Sequence, residues 1–152
     1  MFAEKSDLKN NIYNYQTNQI TEGDDNIVLQ AINAAISEVK SYLTWNDKKE
    51  YLDGRPHYDV EAIFSKTGTA RNPLILNHVL TIAKYYIIDL SNVDILMETA
   101  EKRYDRAIDW LKQLSRGIVN LKELPVIPGT DNPGENENGG FSYGSRLKFN
   151  HE

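Results

Sequence analysis

Asn72-Pro73-Leu74-Ile75-Leu76-Asn77-His78-Val79-Leu80-Thr81-Ile82-Ala83-Lys84-Tyr85-Tyr86-Ile87-Ile88-Asp89-Leu90 is the stretch that decides the fold. Asn72 carries a short polar side chain that can accept from the amides a first helical turn leaves unpaired. Pro73 suits the first helical position, because its missing N–H would have no partner there and its φ is already helical. The residues that follow are apolar almost all round. A helix of that kind has no solvent face and must be covered by neighbours, so residues 73–90 are expected to be the central helix of the protein.

Two amphipathic segments can supply the cover. Val28, Ile32, Ala35, Ile36, Val39 and Leu43 recur at intervals of three and four, with Glu38 and Lys40 off that stripe, which predicts a helix over 24–44. Thr21-Glu22-Gly23-Asp24 ahead of it has the form of a capping box. After Ser91-Asn92, the residues Met97, Ala100, Tyr104, Ala107, Ile108, Leu111 and Leu114 mark another helix, and Gly117 is placed to end it in a left-handed cap. Leu8, Ile12 and Tyr15 suggest a short N-terminal helix over 6–16 that docks on these. The expected fold is mainly α: three principal helices plus a short N-terminal helix, with an extended C-terminal arm containing a β-strand. Ile36, Ile82, Tyr104, Trp110 and Leu111 are the expected core-packing residues, Tyr104 and Trp110 joining the central and last helices.

Residues 45–71 lack helical period and collect Asp53-Gly54, Pro56, Gly68 and the aromatics Trp45, Tyr51, Tyr58 and Phe64. They read as an ordered connection, with a turn of helix near Asp59 to Phe64. Its aromatics are expected at a subunit boundary rather than in the core, with Tyr58 and Phe64 as the interface candidates. Beyond residue 124 the chain turns polar and rich in Pro and Gly, so residues 1–124 are expected to be one helical domain and 125–140 a flexible linker. Phe141, Tyr143, Leu147 and Phe149 then alternate with Ser142, Gly144, Arg146 and Lys148, the period of a half-buried strand. Residues 141–152 are read as an assembly arm. A lone strand leaves its backbone groups unpaired and needs an edge from another chain. The linker could carry it tens of ångströms, at roughly 3.3 Å per residue when extended.

The 152 residues are 40% hydrophobic and contain no cysteine, enough for one modest core without disulfides or thiolate-bound metal. No run of roughly 18 apolar residues occurs and the first ten residues are polar, so neither a membrane span nor a secretory leader is expected. A formal net charge of −5 disfavours a protein whose main task is gripping phosphates. Ser37-Glu38-Val39-Lys40 and Lys66-Thr67-Gly68 superficially match elements of penicillin-recognising serine enzymes, but no intervening S-D-N element or supporting sheet is evident. His57, His78 and His151 are too far apart in pattern to suggest a metal site. Gly68-Thr69-Ala70-Arg71 lacks the ending of a phosphate loop. Asp94, Glu98, Glu101, Asp105 and Asp109, interleaved with Lys102, Arg106 and Lys112, read as a solvated helix face. No catalytic residue, cofactor or metal is expected, and the nine tyrosines favour protein contacts.

An ordered set of packing motifs resembles a known family. Asp25 to Ile36 leads to Ser41-Tyr42-Leu43; Tyr58-Asp59, Ile63-Phe64 and Ile82-Ala83-Lys84-Tyr85-Tyr86 follow; Arg103-Tyr104-x-x-Ala107-Ile108-x-Trp110-Leu111-x-x-Leu114-x-x-Gly117 is the most distinctive. Over roughly residues 5–124 these resemble the small helical head-tail connector proteins of tailed bacteriophages, including the Mu-like group. The chain departs from the pattern at Tyr42-Leu43-Thr44-Trp45 and in its acidic 131–137 stretch. The resemblance implies a structural virion protein of the neck, assembled in the host cytoplasm. It would form a homo-oligomeric ring, commonly a dodecamer, between the portal and neighbouring connector or tail proteins, and DNA would pass through without specific binding. The arm residues Phe141, Tyr143, Arg146, Leu147, Lys148 and Phe149 would join Tyr58 and Phe64 as interface residues. The alternative is a small helical adaptor or regulator that binds one protein through the same arm.

Overall fold

The computed structural model describes residues 1–44, 56–91 and 94–127, with only the backbone described for residues 94–96. The protein is mainly helical. Its body is built from α1 (Asn14–Ile20), α2 (Asp25–Leu43), α3 (Val60–Phe64), α4 (Pro73–Leu90) and α5 (Asp94–Ser115), with 3-10 turns at Lys5–Asn10 and Gly68–Ala70. None of the helices among the described residues is long and apolar enough to cross a membrane.

Helix α4 is the centre, as its composition requires. The Asn72 side chain accepts from the amides of Leu74 and Ile75 at 3.0 and 3.1 Å and starts the helix at Pro73. Ile75, Val79, Ile82, Ala83 and Ile87 have no exposed surface, and α4 packs against both α2 and α5. From α2 it receives Val28, Ala31, Ile32, Ala35 and Val39; from α5, Ala107, Ile108, Leu111 and Leu114. Burying each of the larger aliphatic side chains is worth about 1.5–3 kcal/mol. Of the expected core residues, Ile82 and Leu111 are fully buried, while Ile36, Tyr104 and Trp110 are half-buried and packed against that core. Helix α5 ends as its glycine suggests: Gly117, at φ 74°, and Ile118 donate back to the carbonyls of Leu114 and Gln113 at 3.1 and 3.0 Å.

The N-terminal region departs from expectation. One helix over 6–16 is replaced by the 3-10 turn at Lys5–Asn10 and by α1. The amides of Asn11 and Ile12 both donate to the Leu8 carbonyl at 2.8 Å, closing the turn, and Tyr13 is extended before α1 begins. That break resets the helical phase, so Leu8 and Ile12 are buried while Tyr15 is 66% exposed. Thr21 does not cap the start of α2 but the end of α1. Its hydroxyl donates to the Thr17 carbonyl at 2.9 Å, ending α1, and Asp24 caps α2 by accepting from the Asn26 amide at 2.8 Å. Between them Glu22 and Gly23 take positive φ, at 53° and 80°. The chain start is pinned by Arg71, which pairs with both Asp7 carboxylate oxygens at 2.6 and 3.0 Å and donates to the carbonyls of Phe2 and Gly68.

The 45–71 connection is also corrected. Its first part, through residue 55, lies outside the described residues, but Tyr58 and Phe64 are core residues, 5% and 8% exposed. Phe64 meets the Phe2 ring at 4.7 Å, and the Tyr58 hydroxyl accepts from the Leu121 amide at 2.9 Å. Both aromatics are used by the fold itself, so neither is available as exposed boundary surface. The first residues of the expected linker are likewise held in place. Tyr58 and Val126 form an antiparallel bridge, in which the Asp59 amide donates to the Pro125 carbonyl and the Ile127 amide to the His57 carbonyl, each at 2.8 Å. Among the described residues this bridge is the only β pairing, and residues 128–152 lie outside them.

Candidate functional site

Three features of the body bear on function: a polar node between the long helices, a shallow cleft, and the edge formed by residues 125–127.

The node is centred on Glu38, which the helical period places off the apolar stripe of α2. Its two carboxylate oxygens accept from the hydroxyls of Tyr86 on α4 and Tyr104 on α5, each at 2.8 Å. The Tyr85 ring stacks on Tyr104 at 4.3 Å. Burial first, then the bond to Glu38, pushes the Tyr86 hydroxyl up to about 12 and raises that of Tyr104 further. A group useful in proton transfer has a pKa near the working pH. These phenols are far from it and act as fixed donors, so the node is a clasp joining three helices. Beside it in the α4–α5 interface, His78 stacks on Trp110 with ring centres 4.3 Å apart. Burial lowers the His78 pKa, which favours a neutral ring.

The cleft, of about 250 Å³, lies between the end of α3, the Gly68–Ala70 turn and Glu123–Pro125. Sites for small organic ligands usually enclose about 300–1,000 Å³. Arg71 on its wall is already bound to Asp7, whose carboxyl that ion-pair bond holds below the usual carboxylate range. Of the catalytic patterns weighed in the sequence, Ser37 is exposed, and Lys40 pairs with Glu61 at 3.2 Å while lying over the Phe64 ring. No group of three or more His, Asp or Glu side chains among the described residues could hold a metal ion. The described acidic and basic residues of α5 named as a solvated face are all exposed.

The edge is formed by residues 125–127. The bridge with Tyr58 occupies the inward-facing groups of Pro125 and Ile127, whereas the Val126 amide and carbonyl point the other way and have no partner among the described residues. Val126 and Ile127 are 42% and 43% exposed, and Ile118 is 69% exposed. Among the described residues nothing pairs with the outward side of this short apolar edge at Val126. At the other end of the chain, Tyr13 and Tyr15 stack at 5.7 Å, both largely exposed. Sequence reasoning missed Glu38, the Tyr13–Tyr15 pair and the edge. Of these only the tyrosine pair left a local signal, two rings spaced i, i+2 at the start of a polar helix. Phe141, Tyr143, Arg146, Leu147, Lys148 and Phe149 lie outside the described residues.

Compared with protein-family models, with curated proteins and with solved structures, the chain matches none.

Proposed function

We propose that the protein is a structural subunit of a tailed-phage head-tail connector, forming a ring beneath the portal that extends the DNA channel in the neck of the virion. The observation that carries this reading is the open edge at Val126. The described helical body ends in an exposed apolar edge, where the Val126 amide and carbonyl have no partner among the described residues. In this proposal residues 141–149 form a strand that pairs with a neighbouring subunit or an adjacent connector or tail protein, and the exposed Tyr13 and Tyr15 rings add contact surface. The ordered motifs from Asp25 to Gly117 supply the family resemblance. A net charge of −5 suits a channel wall that must let a duplex pass without holding it.

Light scattering coupled to size-exclusion chromatography tests the proposal directly, on the full chain alone and with a portal ring. A ring-sized species, formed alone or on the portal, is the expected result. A protein that stays monomeric or dimeric in both cases, while binding one non-portal partner through its arm, would favour the adaptor alternative.

A further inference from the structure

A small cavity of about 30 Å³ lies where the N-terminal segment meets α4 and α5, lined by Asn11, Thr81, Lys84, Ala100 and Arg103. Its walls are rich in donors and hold two cations. The Lys84 ammonium spends one N–H on the Asn11 carbonyl at 3.0 Å and has two left. The Asn11 side-chain amide is buried without a hydrogen-bond partner. Arg103 is exposed and has no ion pair with any described residue. The Thr81 hydroxyl gives its proton to the Asn77 carbonyl at 2.9 Å, leaving only lone pairs for the Lys84 ammonium. No carboxylate lines the cavity, although the chain carries 22 Asp and Glu against 17 Lys and Arg.

We propose that Asn11, Lys84 and Arg103 form a socket for a single carboxylate group. Two like charges set side by side without a counter-ion repel, and burial followed by the charge of Arg103 lowers the Lys84 pKa. A carboxylate removes that repulsion and satisfies the idle donors. One oxygen takes the Asn11 amide and a Lys84 N–H; the other faces the Arg103 guanidinium, whose planar fork matches a carboxylate. A water needs only about 10–15 Å³ of such space, so the cavity has room for the end of a small planar acid group. Arg103, lying at the surface, is where that group would arrive. The acid can be a small free carboxylate or a side chain presented by a second copy of this acidic protein. The inference stands apart from the connector proposal, since it concerns the body alone.

The test is the melting temperature of the full chain at constant ionic strength, with chloride replaced stepwise by acetate. It is run on the wild-type protein and on Arg103→Met, an exposed change that the core does not feel. Acetate should stabilise the wild type along the logarithmic curve of single-site binding, widening its lead over Arg103→Met by about 3 °C at roughly tenfold excess over the dissociation constant. Parallel responses of the two proteins, or a wild-type response linear in acetate, would overturn the socket and leave a water site. Where the logarithmic response holds, repeating the series over a hundredfold range of protein concentration assigns the source. An acetate effect that fades as protein concentration rises points to a second copy already filling the socket, and one independent of concentration points to a free acid.

Discussion

Replacing Glu38 by Ala removes the one acceptor shared by the Tyr86 and Tyr104 hydroxyls and strands both donors at a half-buried interface. A loss of about 1–3 kcal/mol in chemical denaturation is expected, with a smaller loss for Glu38→Gln, which keeps one carbonyl acceptor. His78 makes a pH-dependent contribution of definite sign. Its folded pKa lies below the unfolded value of about 6.5, so between the two values the unfolded chain binds the extra proton. The stability tied to the neutral ring is therefore complete above about pH 6.5 and is lost as the pH falls through the folded value. Denaturation of wild type and His78→Phe at pH 7.5 and 5 should show the variant gaining on the wild type in acid. Stabilities that run parallel across that range would mean His78 titrates alike in both states.

Elements were legible where their signals are local, and illegible where a distant residue decides. Asn72-Pro73 at the start of α4 and Gly117 after α5 are short-range instructions, and both act as their chemistry dictates. The period of α2 was equally plain. Tyr58 was misread because the atom that explains its burial, the Leu121 amide, is 63 positions away and in no periodic relation to it. The aromatic content of 45–71 suggested surface adhesion, yet the residues it places in the core are gripped by Phe2 and by the loop after α5. The break at Asn11 escaped for another reason: a 3-10 turn needs only one extra i→i+3 bond and leaves little trace in composition. Glu38 was placed only off the apolar stripe, because a helical period assigns a face but not the hydroxyls that reach it. At this scale the seam between α4 and α5 can be weighed through Trp110. Trp110→Ala removes the ring stacked on His78, but Trp110 is half-buried, so the cost should be about 2–3 kcal/mol, below the figure for a fully buried aromatic. An unchanged melting temperature would show that the stack contributes nothing to the seam.

At the scale of the whole molecule, the connector proposal makes separable demands on the described body and on residues 141–152. The core of α2, α4 and α5 includes residues up to Leu124, and residues 125–127 are anchored beside it through the bridge to Tyr58. Stability should accordingly reside in the body and assembly in the arm. Removing residues 141–152, with the rest of the chain intact, separates the two in one preparation: melting temperature reports the body, and light scattering reports the mass of the assembly formed alone or on a portal ring. The connector proposal expects the truncated protein to melt within about 2 °C of the full chain, a shift of less than roughly 1 kcal/mol, while the ring-sized species disappears or falls apart at concentrations where the full chain holds it. A truncated protein that assembles as the full chain does would contradict the proposal that the arm clasps a neighbour, and one that melts far lower would show the arm to be part of its own fold.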